Sequence, residues 1–422
     1  MPQRLVILGG GTGGTIMANR LRKHYGADEL TITVVDRDDT HVYQPGLLFV
    51  PFGHVHVGDI VRPRHRQLHH HIDFREDEVS AVDIEAQTVS LAGGDTLDYD
   101  VLVIATGARL LPDETEGLTD AGWMERIFTF YTPEGAAALA EALARFDGGR
   151  VVVNVVDLPI KCPVAPLEFS FLADAYFTER GIRDKVELTY VTPLDGAFTK
   201  PVASATLSSM LGDKGIELVT EFNTGSVDGD GGRIVSWDER EVPFDLLVTI
   251  PLHGGAEYVG RSPGLGDELD FVPADEHTLQ SKAKPNIFVI GDASNLPASK
   301  AGSVTHFEGE VLTENVRRFL AGEELDGSYD GHANCFIETG FGKALLIDFN
   351  YETEPLPGHF PAKVGMPLLK NSRLNHLGKL MFESVYWHAL LPGRDVPGIA
   401  AAMPTSGKEH PDDDAPDAAT DA

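Results

Sequence analysis

Only two cysteines occur in this 422-residue chain, Cys162 and Cys335, far apart in the sequence. A small disulfide-stapled scaffold is therefore excluded, and a static bridge is not expected in a cytoplasmic chain. No apolar run approaches the ~18 residues of a membrane-spanning helix. Positive charge is scarce: 34 Lys+Arg stand against 65 Asp+Glu, for a net charge of −31. Such a surface cannot neutralise a phosphate backbone, which excludes nucleic-acid binding as a role. The acidic excess, with Arg outnumbering Lys, suits concentrated salt, where screening acts over ~3 Å at 1 M. A halophilic source is expected. Met-Pro-Gln-Arg leads straight into Leu5-Val6-Ile7-Leu8 without a secretory pattern, which predicts a cytoplasmic protein. No metal site is read from the residue spacing. The last absence is local: residues 154–166 contain no glycine.

Elsewhere glycine is abundant, and its first cluster is informative. Leu5–Leu8 reads as a strand, followed by Gly9-Gly10-Gly11-Thr12-Gly13-Gly14, a helical run through Tyr25, and the strand Leu30–Asp36. Gly9, Gly11 and Gly14 fit G-x-G-x-x-G. Gly9 permits the turn, Gly11 lets a pyrophosphate approach the backbone, and Gly14 lets helix and strand pack closely. The helix N-terminus faces phosphate charge, and Asp36 can accept from ribose hydroxyls. Strand, loop, helix and acidic residue in this order make the pattern specific.

Further on, 150–156 reads as a strand opening a second unit of the same kind, with helix 133–146 before it. Helix 164–180, strand 186–191, helix 202–214 and strands 216–222 and 245–250 follow. Its phosphate loop is missing. The connection carries Pro159, Lys161, Cys162, Pro163 and Pro166, and a proline-stiffened loop cannot wrap backbone N–H groups around a pyrophosphate.

Residues 98–112, with Ala105-Thr106-Gly107, resemble the Ala-Thr-Gly strand of two-dinucleotide-domain flavoproteins. Residues 286–297, with Gly291-Asp292, resemble their second flavin motif. Lys161-Cys162-Pro163-Val164-Ala165-Pro166-Leu167-Glu168 and Gly331-His332-Ala333-Asn334-Cys335 resemble the two redox-cysteine regions of the sulfide:quinone oxidoreductase family. Ser299-Lys300-Ala301-Gly302 resembles that family's Lys-Thr-Gly turn. The resemblance covers about 1–395. It implies an α/β fold of two Rossmann-like dinucleotide-binding domains, with the FAD domain discontinuous and the second domain inserted, plus a C-terminal hairpin and amphipathic helix. The expected divisions are 1–112 and 256–330 for the FAD domain, 113–255 for the insert, 331–400 for the redox-cysteine and quinone region, and 401–422 for an acidic disordered tail. FAD contacts are expected from Gly9, Gly11, Thr12, Gly13, Gly14, Asp36, Pro45, Val79, Ala105, Thr106, Gly107, Gly291, Asp292, Lys300, Ala301 and Gly302.

The resemblance also implies chemistry. Hydrosulfide opens a Cys162–Cys335 bridge, leaving a persulfide on Cys162 and a thiolate on Cys335, and the electrons leave through the flavin. Lys161 either favours the Cys162 thiolate or is a solvated side chain. Glu168 is either a proton acceptor or a helix-start carboxylate. Lys300 is the candidate donor to the flavin edge or a quinone oxygen. The quinone is expected near Phe349, Tyr351, Phe382, Tyr386 and Trp387. Helix 374–391 either lies in the membrane interface on the cytoplasmic face or packs on the protein itself or a second copy. Two departures stand out. Phe130-Tyr131-Thr132 occupies the place of a third cysteine found in many members, so FAD is expected to be non-covalent. The loop Asp195-Gly196-Ala197-Phe198 lacks a histidine often present there. A type II NADH dehydrogenase, a flavocytochrome subunit and a polysulfide sensor remain the alternatives.

Overall fold

The computed structural model describes residues 2–396 and 399–409. Two five-stranded parallel sheets form its two centres. The first runs, in spatial order, Ile287–Val289, Val101–Ile104, Gln3–Leu8, Leu30–Asp36 and Asp73–Glu76. The second runs Ile127–Phe128, Leu246–Ile250, Gly149–Val155, Val186–Val191 and Ile216–Val219. Both sheets are covered by helices, so their inner strands read as unbroken apolar runs rather than alternating ones. Val101–Ile104 and Leu246–Ile250 are buried at every position. The fold is thus α/β with parallel sheets.

The strands cross between the two sheets at the antiparallel pair Arg109–Leu111 and Leu252–Gly254. Each parallel sheet also carries a small antiparallel companion, over 79–98 and 224–243. Neither companion was expected from the sequence, because strands of three to five residues are too short to show a period.

Helix Gly302–Ala321 packs against helix Thr12–His24 and leads to the hairpin Ala333–Gly340 and Lys343–Phe349. The Pro- and Gly-rich stretch after it, expected as a connector, contains a short pair, Gly358–Phe360 with Met366–Leu368. The last helix, Arg373–Val385, is N-capped by Ser372, whose side chain accepts from Asn375 N–H, and ends in a π-helical turn at Tyr386–Leu390.

Disorder from 401 onward does not hold for 401–409. Gly358 forms a bridge with Lys408, and Lys408 Nζ reaches the buried carboxylate of Asp348. A buried ammonium must be paired, and Asp348 supplies the partner. Residues 410–422 of that expectation lie outside the described residues. Among the described residues no helix is long and apolar enough to cross a membrane.

Candidate active site

The first glycine loop has the geometry a dinucleotide needs. A Cβ on Gly14 would lie 1.8 Å from the Gly9 carbonyl oxygen, and one on Gly9 (φ +94°) 2.5 Å from that of Ala105, so both must be glycine. Gly11 faces open space. It caps a helix with no side-chain partner at its N-terminus, leaving those N–H groups for an anion. Asp36 accepts from Gly10 N–H (2.7 Å) and pairs with Arg64 (2.8 Å). The second motif closes on the first, because a Cβ on Gly13 would touch Ile290 and Thr305. Ala301 likewise caps Gly302–Ala321 without a side-chain bond. Gly107 and Gly291 both take positive φ. These residues fit FAD. Thr106 Oγ1 lies 3.2 Å from Tyr258 Oη. Pro45 begins a short turn beside the buried Tyr43, and the buried Val79 opens a companion strand.

The second sheet ends in a filled loop instead. Ile160 and Val164 are buried where a nucleotide loop would stand open. Cys162 adopts φ +48°, a left-handed conformation costing ~1–2 kcal/mol for a side chain with Cβ. Three hydrogen bonds hold it: Cys162 N–H donates to Lys300 O, and its carbonyl accepts from Ala165 N–H (2.9 Å) and Tyr131 Oη (3.1 Å).

Cys335 reaches the same place from the other side. Ser303 donates to the carbonyl of Asn334 (2.6 Å), the residue before it. The turn 300–303, which begins the helix after the second flavin motif, therefore carries one cysteine segment on Lys300 and the other on Ser303. The two segments also bond directly, as Glu338 N–H donates to Glu168 Oε1 (2.7 Å). Both cysteines are free thiols. Burial and the nearby Glu168 push Cys162 up to about 12, while Lys379 opposes them. Burial and Cys162 raise Cys335.

A family model described as pyridine nucleotide-disulphide oxidoreductase matches residues 3–306. The chain belongs to that family. FAD is its cofactor. The mitochondrial sulfide:quinone oxidoreductase of Mus musculus is 26% identical over 400 residues, covering 92% of this chain and 86% of the relative. A type II NADH:quinone oxidoreductase of Mycobacterium tuberculosis is 34% identical over 317 residues, covering 70% of this chain and 67% of the relative. The crystal structure of sulfide:quinone oxidoreductase from Aquifex aeolicus superposes with a TM-score of 0.78 at 20% identity, covering 93% of this chain and 92% of that one.

Several expected site residues are placed differently by the structure. Lys300 Nζ turns to the carbonyls of Asp292 (3.0 Å) and Ser294 (2.6 Å), and so supports the second motif from beneath. Lys161 is half-buried, 5.8 Å from the Tyr131 ring centre; burial lowers its proton affinity while Asp292 and Cys162 oppose this. The five aromatic quinone candidates do not form one group. Phe349 meets Phe198, in the loop without histidine, at 6.5 Å. Tyr351 packs on Tyr329 and His277. Phe382, Tyr386 and Trp387 turn inward onto Tyr43. Position Phe130-Tyr131-Thr132 is filled by packing, with Phe130 stacked on Phe169 at 5.1 Å.

Three residues complete the site: sequence reasoning missed Lys379 and Glu308 and reads His376 as an ordinary polar contact. Lys379, from the C-terminal helix, binds Glu168 Oε1, and His376 Nδ1 lies 2.9 Å from Glu338 Oε1. Glu168 Oε1 thus receives two donors, Lys379 and the Glu338 N–H, and acts as a carboxylate although burial pushes its proton affinity up. Lys379 is held protonated by Glu168 and Glu338. Only the one-face spacing of 376 and 379 on a helix hinted at this. The third, Glu308, is buried and accepts from Gly291 N–H (2.6 Å). Burial pushes it up to about 8 from 4.5. The folded chain then holds a proton that the unfolded chain releases above pH 4.5, so stability falls as pH rises through this window, by roughly 1.4 kcal/mol per unit. Thermal melts of Glu308→Gln between pH 5 and 8 are expected to show a shallower fall than those of the parent. An identical slope would remove Glu308 as its source.

Three exposed histidines, His69, His70 and His71, place their ligand atoms within 4.8 Å of one another. The sequence reading named no metal ligands there.

Proposed function

We propose that the chain oxidises sulfide through Cys162 and Cys335 and delivers the electrons through FAD to a quinone. The observation that carries this reading is the convergence of both cysteine segments on the 300–303 turn. Hydrosulfide attacks the disulfide between the two cysteines, one S–S bond breaks and one forms, and a Cys162 persulfide and a Cys335 thiolate result. Removal of two electrons and the persulfide proton from this pair recloses the bridge with one additional sulfur. FAD, which the Gly9–Gly14 loop, Asp36 and the Gly291 turn would hold, would supply the two-electron acceptor. Lys379 supplies a buried cation that favours the negative form of both sulfurs, and Tyr131 holds the Cys162 main chain.

The NADH reading is weaker. Ile160 and Val164 fill the position of a second phosphate loop, and 154–166 offers no glycine for one. Anaerobic absorbance spectra separate the two. Sulfide should bleach the flavin band and a short-chain quinone should restore it, whereas NADH should leave it unchanged. Bleaching by NADH and not by sulfide would reverse the assignment. High salt suits the assay, because the surface is strongly acidic.

Quinone delivery calls for contact with the bilayer, at the cytoplasmic face in this reading. Leu374, Leu377, Leu380 and Met381 are each half or more exposed on the C-terminal helix, while Phe382 and Tyr386 face inward. Burying one such side chain contributes roughly 1.5–3 kcal/mol when complete. The double change Leu377→Asp and Met381→Asp is expected to lower co-sedimentation with phosphatidylcholine vesicles in high salt by more than about tenfold. Undiminished binding would place the membrane contact elsewhere.

A further inference from the structure

The inner side of the same helix makes a second connection that sulfide chemistry does not require. Tyr386, 2% exposed, begins the π-helical turn. Such turns frequently mark functional positions. Its hydroxyl lies 2.7 Å from Thr12 Oγ1 and 2.7 Å from His41 Nε2, and His41 Nδ1 lies 3.2 Å from the Gly10 carbonyl.

The direction of each bond in this relay can be worked out. The Gly10 carbonyl only accepts, so His41 Nδ1 carries the hydrogen. Burial and Arg64 drive His41 down to about 4, which leaves its ring neutral and Nε2 an acceptor. Tyr386 therefore donates to His41, and its oxygen accepts from the Thr12 hydroxyl. The chain of donors runs Thr12 to Tyr386 to His41 to Gly10. Trp387 strengthens the seat, 5.5 Å from the His41 ring and 4.1 Å beneath the Arg62 guanidinium.

Thr12 opens the helix whose N–H groups face a pyrophosphate, and Gly10 belongs to the same loop. The relay spends the Thr12 hydroxyl on Tyr386 and fixes the loop from outside, leaving its N–H groups for the cofactor.

We infer that Tyr386 is a positioning residue for FAD: it clasps the dinucleotide loop to the C-terminal helix, so that bound FAD and a seated helix stabilise each other. The coupling is reciprocal by necessity. Because the outer face of this helix carries the exposed leucines, loss of FAD should loosen the same element that offers apolar surface. This inference does not depend on what reduces the flavin.

Two measurements test it. Tyr386→Phe removes one hydroxyl and keeps the ring, and circular dichroism melts of the FAD-free protein verify its fold. Its FAD dissociation constant, read from flavin fluorescence, is expected to rise roughly three- to tenfold. In the parent protein, trypsin should cut after Arg373 or Lys379 at least about ten times faster once FAD is removed, and Tyr386→Phe should narrow that difference. An unchanged dissociation constant, or equal cleavage with and without FAD, would overturn the clasp.

Discussion

Cys335→Ser is expected to retain FAD and to lose sulfide-driven flavin reduction by roughly a thousandfold or more, with Cys162→Ser behaving alike. Either change removes one sulfur of the bridge that hydrosulfide must open, and no other cysteine exists to replace it. The fold should tolerate both. Cys335 is buried beside Ser303, whose oxygen can accept from a new hydroxyl while its hydrogen stays on the Asn334 carbonyl. Serine at 162 keeps the three backbone bonds that hold the left-handed turn. Stopped-flow absorbance under anaerobic conditions measures the loss. A serine variant that still bleaches at the parent rate would remove that cysteine from the reaction.

Lys379→Met carries the second-largest expected effect, and it acts through charge. The ammonium sits on Glu168 and lowers the proton affinity of both cysteines, against burial and Glu168 itself. Removing it leaves Glu168 without its cation, so the carboxylate, still held by the Glu338 N–H, opposes thiolate formation alone. The rate of flavin reduction by sulfide is expected to fall about 10- to 100-fold, and alkylation of Cys162 at pH 9 should slow several-fold. Lys379→Arg should recover most of both. A purely structural lysine would leave the pH dependence of alkylation unmoved. The linkage has a definite sign. Lys379 gains proton affinity on folding, so its contribution is complete at neutral pH and is lost only as pH climbs through its raised value.

Much of this was legible in the chain. The loop Gly9–Gly14 and Asp36 announce a nucleotide cradle because Gly9 and Gly14 answer steric demands that no other residue meets, and 290–292 joins it in space. The glycine-free stretch 154–166 marked the second unit as altered, and burial of Ile160 and Val164 is the physical form of that alteration. The elements of the insert lay within a few residues of their expected ends because each is bounded by proline, glycine or a charged cap. What the sequence hid was pairing across long separations. Lys379 looks like a solvent-facing lysine on an amphipathic helix, and only the packing of that helix on 333–349 turns it toward Glu168. Tyr386 and Trp387 share a face with Phe382, and periodicity alone cannot say whether such a face meets lipid or protein. Here it meets protein, and the leucines on the other side are exposed. Lys408 was assigned to a disordered tail on composition, yet the buried Asp348 draws it in.

All of the proposed chemistry depends on one sulfur bridge between residues distant in sequence. Peptide mapping of the air-oxidised protein without reduction, read by mass spectrometry, measures it directly. The account expects a peptide containing Cys162 joined to one containing Cys335, with a mass gain of one or more sulfur atoms after brief exposure to sulfide. Both cysteines recovered separately alkylated, from protein that still oxidises sulfide, would contradict it.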